Sequence, residues 1–318
     1  MNVFSKVQKT KPNSLKEPFL YQRIQNNIPY ADYFYAPAIQ TKKTILSSKK
    51  KQSPFVSIQV QYVGRNTLDE HMKHHYESNS FSILPHLWDS HIYLANSIRQ
   101  LVDLNIIHFD ILPENIKYSD TYFVPIITDF GHAVLWTEKE QYSLFTNVTA
   151  TSCLDILCLK TLQEGQENKK IPLEKINQLI ETFFQKNTLL QSIRNTYNID
   201  LHVYELKWKK YLQTFTNKKT QTFINELMMH WNTWDINSCH FTFLKIMNDL
   251  GWFQSSYKNH SSIAPYVKYL VSQIVCIPED RDTPIECIHH LEHIIKTLSK
   301  PKYISFLQTF TSENKEVL

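Results

Sequence analysis

The chain has 318 residues, a length that suffices for one large domain or two lobes with a sizeable core. With 42% hydrophobic and 20% charged residues it has the composition of a folded soluble protein, and no apolar run is long enough for a membrane span. The first residues lack the apolar centre of a signal peptide, and the five cysteines have no regular spacing, so an intracellular, cytoplasmic protein that is not secreted is expected.

The net charge of +4 is unevenly distributed, because residues 1–57 contain ten Lys and Arg against two acids. An arm that binds nucleic acid has this composition, and so does a basic lobe that faces an anionic nucleotide. No array of aromatic and basic residues follows the segment, so we prefer the second interpretation. Nucleic acid is therefore not expected as a partner.

Two elements are predicted at the start of the chain. Residues 2–8 are compatible with a short strand, although a frayed, charged terminus explains them equally well. Residues 14–28 predict a helix, with Ser14 and Glu17 in the spacing of a capping box. Its expected apolar face consists of Phe19, Leu20, Ile24 and Ile28.

A second strand is predicted over residues 55–63, after a polar, lysine-rich loop at 47–54. Gly64 interrupts the strand pattern, and a helix is expected to begin at about residue 67. Residues 87–104 give the clearest helix of the chain. Its apolar stripe consists of Leu87, Leu94, Ile98 and Leu101.

The segment 108–131 carries the residues with the strongest chemical signal. Asp110 is followed five positions later by Asn115, and a strand-like apolar run then leads to Asp129. Asp110 is suited to accept a proton from an attacking hydroxyl, whereas Asn115 and Asp129 offer the hard oxygen ligands that Mg²⁺ takes. The alternative is a helix, a turn and a buried strand that carry these polar residues by coincidence.

This segment resembles the catalytic loop of protein kinases and the metal-binding Asp-Phe-Gly that follows it. HFDILPEN, beginning at His108, stands where the family has H-R-D-L-x-x-x-N. The resemblance implies an α+β, bilobal protein-kinase-like fold with a small β lobe and a large, mostly helical lobe. It also implies ATP and Mg as cofactors, a protein substrate or partner, and a structural role for His108.

Further roles follow from the resemblance alone. Lys6 would contact the nucleotide phosphates. Lys9, Lys11 and Lys16 are alternative candidates for this role. Glu17 would form an ion pair with the lysine, and the alternative is that Glu17 only caps its helix. Val60 would be the gatekeeper, and the backbone from Gln61 to Val63 would bind adenine. The resemblance implies a truncated small lobe at residues 1–63 and a helical large lobe at residues 64–318. The chain's four glycines leave no glycine-rich phosphate loop.

After Gly131 the resemblance weakens. Asp155 is expected to brace the backbone of the catalytic loop, and Arg281 is expected at the family's arginine before the final helix. The A-P-E signature that pairs with this arginine is absent between Asp129 and Asp155. The region at about 163–275 is expected as a helical insertion.

A zinc site is also considered and set aside. The cysteine and histidine residues concerned lack a paired C-x₂-C, so a solvated or packed helix face is preferred. They are Cys239, His240, Cys287, His289, His290 and His293.

Three functions remain open at this point. The first is a divergent protein kinase that transfers the ATP γ-phosphoryl group to a Ser or Thr hydroxyl, and the second is a pseudokinase scaffold. The third is transfer to a small molecule. Phe109 replaces the arginine of H-R-D, and Leu112 replaces a lysine that many Ser/Thr kinases place beside the γ-phosphate. Loss of such a cation costs on the order of 2–4 kcal/mol, which slows transfer without abolishing it.

Overall fold

The computed structural model describes most of the chain and shows a mixed α+β protein that is mostly helical. For the first three strands the structure describes only the backbone. None of the described helices is both long and apolar enough to cross a membrane. The described residues are 3–9, 16–36, 38–48, 51–78, 83–136, 153–163, 171, 173–254 and 260–297.

A three-stranded antiparallel sheet begins the fold. It consists of β1 (Val3–Lys9), β2 (Ala38–Ser48) and β3 (Lys51–Gln61), with β3 in the centre. β2 and β3 are joined as a hairpin in which Ser48 is opposite Lys51, so the loop expected at 47–54 is wrong in extent. Ser47, Ser48 and residues 51–54 lie in these paired strands, where inter-strand backbone bonds outweigh a weak strand propensity.

Helix α1 (Lys16–Asn27) lies between β1 and β2 in the chain. Leu20, Ile24 and Ile28 are buried, as expected from their i, i+4, i+8 spacing, whereas the ring of Phe19 is 55% exposed. The Arg23 guanidinium donates hydrogen bonds to the carbonyl of Leu104 at 3.3–3.4 Å. This contact joins α1 to the turn that precedes the 108–131 segment.

Helix α2 (Leu68–Ser78) follows the sheet, and α3 (Ile83–Asp103) confirms the predicted long helix. The four apolar residues of the predicted stripe of α3 are fully buried. Two short antiparallel ladders come next, and they hold the 108–131 segment in place. β4 (Ile106–Ile107) pairs with β7 (Val134–Leu135), and β5 (Ile116–Tyr118) pairs with β6 (Pro125–Ile127).

The rest of the described chain is helical. Helix α9 (Trp234–Asp249) is buried along almost its whole length, including its polar residues Asp235, Asn237 and His240. It packs against α3 and α10, and α11 packs against α3. The helices are α4 (Leu154–Gln163), α5 (Leu173–Lys186), α6 (Thr188–Tyr197), α7 (Leu201–Gln213), α8 (Thr220–Met229), α9 (Trp234–Asp249), α10 (His260–Val275) and α11 (Pro284–Thr297).

Candidate functional site

The loop at 108–115 is held by a carboxylate from the central helix. The fully buried side chain of Asp235 accepts the backbone N–H of His108 at 2.6 Å and that of Phe109 at 2.9 Å. Phe109 has φ +63°, a left-handed conformation that costs a residue with a Cβ about 1–2 kcal/mol. The two bonds to Asp235 stabilise the loop in this strained form. Burial raises the pKa of Asp235 to about 6, although both N–H donors oppose the rise.

Asp235 takes the place that the sequence assigned to Asp155. Asp155 forms a fully buried pair with Arg281 instead, with Nη2–Oδ1 and Nη1–Oδ2 distances of 3.1 and 3.2 Å. The indole N–H of Trp234 donates to the same carboxylate at 2.6 Å. The prediction for Asp155 was therefore wrong. Arg281 nevertheless has an acidic partner, although the A-P-E signature is absent.

The imidazole of His108 is buried beneath the loop, which confirms its structural role. Its Nε2 lies 3.0 Å from the carbonyl oxygen of Thr128, and its Nδ1 accepts the backbone N–H of Asp110 at 3.3 Å. These partners require the tautomer with the proton on Nε2. The ring also contacts Phe130 edge-on, at 4.8 Å between centroids. His108 thus connects the loop to the strand that leads to Asp129.

Asp110, Asn115 and Asp129 are brought together at this point. The Asn115 amide nitrogen donates to the Asp110 carboxylate at 2.6 Å and to the Asp110 carbonyl at 3.1 Å. Thr128 donates both its backbone N–H and its hydroxyl to the Asn115 carbonyl, at 2.8 and 2.9 Å. The Asn115 side chain is therefore oriented by Asp110, and its backbone is fixed to the residue that precedes Asp129.

The carboxylates of Asp110 and Asp129 are near enough to interact electrostatically. Burial raises the pKa of the half-buried Asp110, and the charge of Asp129 adds to the rise, whereas His132 and the Asn115 amide lower it. Asp129 has φ +59°, and one of its oxygens accepts the backbone N–H of Gly131 at 3.2 Å. Two carboxylates and an amide oxygen form a donor set that suits a hard divalent cation such as Mg²⁺.

Phe130 is buried and connects Asp129 to helix α1. Its ring centroid lies 5.1 Å from that of Tyr21 and 5.9 Å from that of Tyr35. The Tyr21 hydroxyl donates to Glu17 at 3.5 Å. Burial raises the pKa of Tyr21, and the charges of Glu17 and Asp129 raise it further. Tyr21, which the sequence did not single out, therefore lies between these two acids.

Glu17 is 3% exposed, so it is a core residue in the first turn of α1, and its role as a helix cap stays a prediction. Its expected capping partner, Ser14, lies outside the described residues, as do Lys11 and the side chains of Lys6, Lys9 and Lys16. The Lys6–Glu17 ion pair therefore stays a prediction.

The segment from Gln61 to Val63 joins the sheet to the β5–β6 ladder. Gln61 is the last residue of β3 and lies opposite Val3, and the side chains of Val60 and Gln61 lie outside the described part. The Val63 carbonyl accepts the backbone N–H of Asp120 at 3.2 Å. Backbone contacts from 61–63 to adenine stay a prediction, and one lone pair of the Val63 carbonyl is already used within the chain.

Neither the family models nor the curated proteins that were searched contain a match to this chain. The site is therefore defined by its own geometry, together with the resemblance of the 108–131 segment.

Proposed function

We propose that this chain is a divergent protein kinase that transfers the γ-phosphoryl group of ATP to a Ser or Thr hydroxyl, with Mg²⁺. One observation carries the proposal. The Asn115 amide holds the Asp110 carboxylate at 2.6 Å, and Asp129 lies close enough to shift the pKa of Asp110. A base and two hard oxygen ligands at one place are the groups that phosphoryl transfer requires of a protein.

Each residue has a distinct role in this mechanism. Asp110 orients the acceptor hydroxyl and takes its proton, and the raised pKa makes its carboxylate a better base than an exposed aspartate. Asn115 and Asp129 would hold Mg²⁺, which would neutralise charge on the phosphates when bound. Asp235 and His108 are positioning residues, because they fix the backbone on both sides of Asp110.

The N-terminal sheet supports the same proposal. The order β1, α1, β3, α2 is the order that the resemblance implies for the lysine strand, the glutamate helix, the last strand of the small lobe and the helix after it, and β2 is an additional strand before β3. The burial of Glu17 beside Tyr21 and Phe130 places α1 against the site. In this proposal the described small lobe is the truncated one. The helical insertion expected at about 163–275 is narrowed to α5–α8, because α9 within that region supplies Asp235 to the 108–115 loop.

Phe109 and Leu112 predict a slow enzyme rather than an inert one. Phe109 packs against Trp234, at 5.7 Å between ring centroids, so a partly buried aromatic contact replaces the arginine of H-R-D. Activation through that arginine by a phosphorylated loop is therefore not expected. Leu112 brings no cation to the transferred phosphoryl group.

The test measures Mg·ATP binding and phosphate transfer separately, on the full chain and on two variants. Asp129→Asn is expected to weaken Mg·ATP binding about tenfold or more, because it removes a charged ligand of the cation. Asp110→Asn is expected to retain binding and to lose transfer by about 10²-fold or more, the usual contribution of a general base. Asp120→Asn, an exposed aspartate beside the same ladder, is the matched control and should change neither quantity.

A pseudokinase scaffold is the second candidate, and one observation favours it. Val203 and Leu206 lie three positions apart on α7, and they are 56% and 52% exposed. Neighbouring apolar side chains on the surface suit contact with a protein partner. Wild-type chain that binds Mg·ATP without transferring phosphate would support the scaffold and refute the kinase. Transfer that survives Asp110→Asn would refute the proposed base.

A further inference from the structure

Three helices bring two histidines and a cysteine together in the core. His91 lies on α3, His240 on α9 and Cys287 on α11, and all three are fully buried. Their ligand atoms lie within 4.8 Å of one another. Positions so far apart in sequence leave no spacing signal, which is why the sequence does not reveal the cluster.

The distances in the cluster fit a shared metal ion. His91 Nε2 and His240 Nδ1 are 3.2 Å apart. Two nitrogens that bind one zinc ion at about 2.0–2.1 Å in tetrahedral geometry lie about 3.3 Å apart. A hydrogen bond between the two rings gives a similar distance, so the separation permits a metal without requiring one.

The Tyr266 hydroxyl is suited to orient His91 as a metal ligand. His91 Nδ1 lies 2.7 Å from the Tyr266 hydroxyl, and an N–H donated there leaves the His91 Nε2 lone pair directed at His240. His240 Nε2 is buried, and within the described part of the chain it has no hydrogen-bond partner. This atom stays unpaired whether His240 Nδ1 donates to His91 or binds a metal, so the convergence of the three side chains is what favours the ion.

We propose that His91, His240 and Cys287 form a structural zinc site that ties α3, α9 and α11 together. Two imidazole nitrogens and a thiolate are ligands that Zn²⁺ takes and that Mg²⁺ and Ca²⁺ do not favour. A fourth ligand is usual in structural sites. Tyr269 is the adjacent oxygen donor, since its hydroxyl hydrogen-bonds with both Cys287 and Asp282.

The site would support the part of the fold that carries the 108–115 loop. Helix α3 leads into that loop, and α9 supplies Asp235 to its backbone. The proposal is independent of phosphate transfer, because it concerns how the helices are held. The histidines next to Cys287 in sequence are not part of it. His289 is exposed, and His290 Nδ1 lies 2.6 Å from the Asp282 carboxylate.

The first experiment measures metal content on the full chain, expressed with zinc in the medium and purified without chelator. About one zinc ion per chain is expected. Replacement by Co²⁺ is expected to give the intense ligand-field bands of a tetrahedral site together with a thiolate-to-cobalt charge-transfer band. A wild-type chain without zinc, and without a thiolate band when Co²⁺ is added, would overturn the proposal whatever the variants do.

Two cysteine variants then assign the ligand. Cys287→Ser should lose the charge-transfer band and weaken zinc binding about 10²-fold or more. Cys276→Ser is the matched control, because Cys276 is also buried and its thiol donates to the Gln273 carbonyl. A band that persists in Cys287→Ser, or that is lost equally in Cys276→Ser, would contradict the assignment.

A stability measurement covers the case in which Cys287→Ser folds poorly. A chelator that removes zinc should lower the urea midpoint of the wild type and of Cys276→Ser. If the chelator leaves both midpoints unchanged, the ion is not structural and the proposal fails.

Discussion

The carboxylate of Asp235 accepts the backbone N–H of His108 at 2.6 Å, across 127 positions of sequence. The same carboxylate holds Phe109 in its left-handed conformation. Trp234, the preceding residue, donates its indole N–H to Asp155, which in turn binds Arg281. The first turn of α9 therefore connects the loop that carries Asp110 to the beginning of α4 and to the segment before α11.

Asp235→Asn should loosen this loop. An asparagine presents one oxygen and one NH₂ group, so the N–H of either His108 or Phe109 would face a donor in the core. Unfolding free energy should fall by about 1–3 kcal/mol, the cost of a buried unsatisfied group. Urea unfolding measures this change, and phosphate transfer should fall in the folded variant because Asp110 is displaced. Asp249→Asn, at the exposed end of the same helix, is the control and should leave both unchanged.

The local elements could be predicted from the sequence because each has its own periodicity. The stripe of α3 and the apolar run before Asp129 are such patterns, and both became buried elements. The partner of the 108–115 loop could not be predicted in this way. Asp155 and Asp235 each lie in the first turn of an apolar helix, and nothing in the local sequence shows which one reaches the loop.

The same limit applies to the remaining site residues. Tyr21 has the apolar spacing of a core residue. Its hydroxyl contact with Glu17 and its ring contact with Phe130 depend on how α1 packs in the fold, which the sequence does not show. His91, His240 and Cys287 meet only after three helices have assembled. Which side chains meet in a pair or a triad depends on tertiary packing, whereas a sequence pattern shows only which residues are neighbours along the chain.

The ion pair of Asp155 and Arg281 gives a second prediction. Both side chains are fully buried, so Arg281→Met should leave an uncompensated carboxylate beside Trp234. A loss of about 3–5 kcal/mol of unfolding free energy is expected. Urea unfolding followed by tryptophan fluorescence measures it. The double variant Asp155→Leu/Arg281→Met should recover most of this loss, because two apolar groups leave no unpaired charge. A double variant less stable than the single one would contradict this account.

Two histidines, one on α2 and one on α3, predict a dependence of stability on pH. His71 Nε2 and His86 Nε2 lie 2.9 Å apart, and the His71 ring stacks on Tyr118. Burial lowers the pKa of each to about 4, and nearby histidines add to the effect. The charged and titratable groups that face the pair are His74, His75 and Tyr118.

The sign of this dependence follows from proton binding. Below about pH 6.5 the unfolded chain takes up protons on both histidines, whereas the folded chain does so only near pH 4. Stability should therefore fall as the pH is lowered between these values. The variant His71→Asn/His86→Asn should reduce the fall between pH 7 and pH 5 by about 1–2 kcal/mol, after allowance for partial exposure. His74→Asn, whose side chain is 67% exposed, should change the slope far less because His74 is only a minor contributor to the His71 shift, and an equal effect of both variants would refute the argument.

Gly64 lies directly against the β5–β6 ladder, at the start of the segment that follows β3. A Cβ at this position would lie 1.9 Å from the Tyr118 carbonyl oxygen, so Gly64→Ala requires a backbone shift. The shift would disturb the bonds from Asp120 N–H to the Val63 carbonyl and from Tyr118 N–H to the Asn66 carbonyl. A loss of about 2–3 kcal/mol of unfolding free energy is expected from such overpacking.

Gly251→Ala separates this effect from a general cost of replacing glycine. Gly251 has φ +78°, and a Cβ there would meet only the flexible Gln254 side chain at 3.4 Å, so the expected loss is the strain of about 1–2 kcal/mol. If the backbone at 61–63 binds adenine, Gly64→Ala should also weaken Mg·ATP binding in the fraction that remains folded, whereas Gly251→Ala should not. Isothermal titration on both variants decides the point. Unchanged affinity in a destabilised Gly64→Ala chain would place the nucleotide away from this segment.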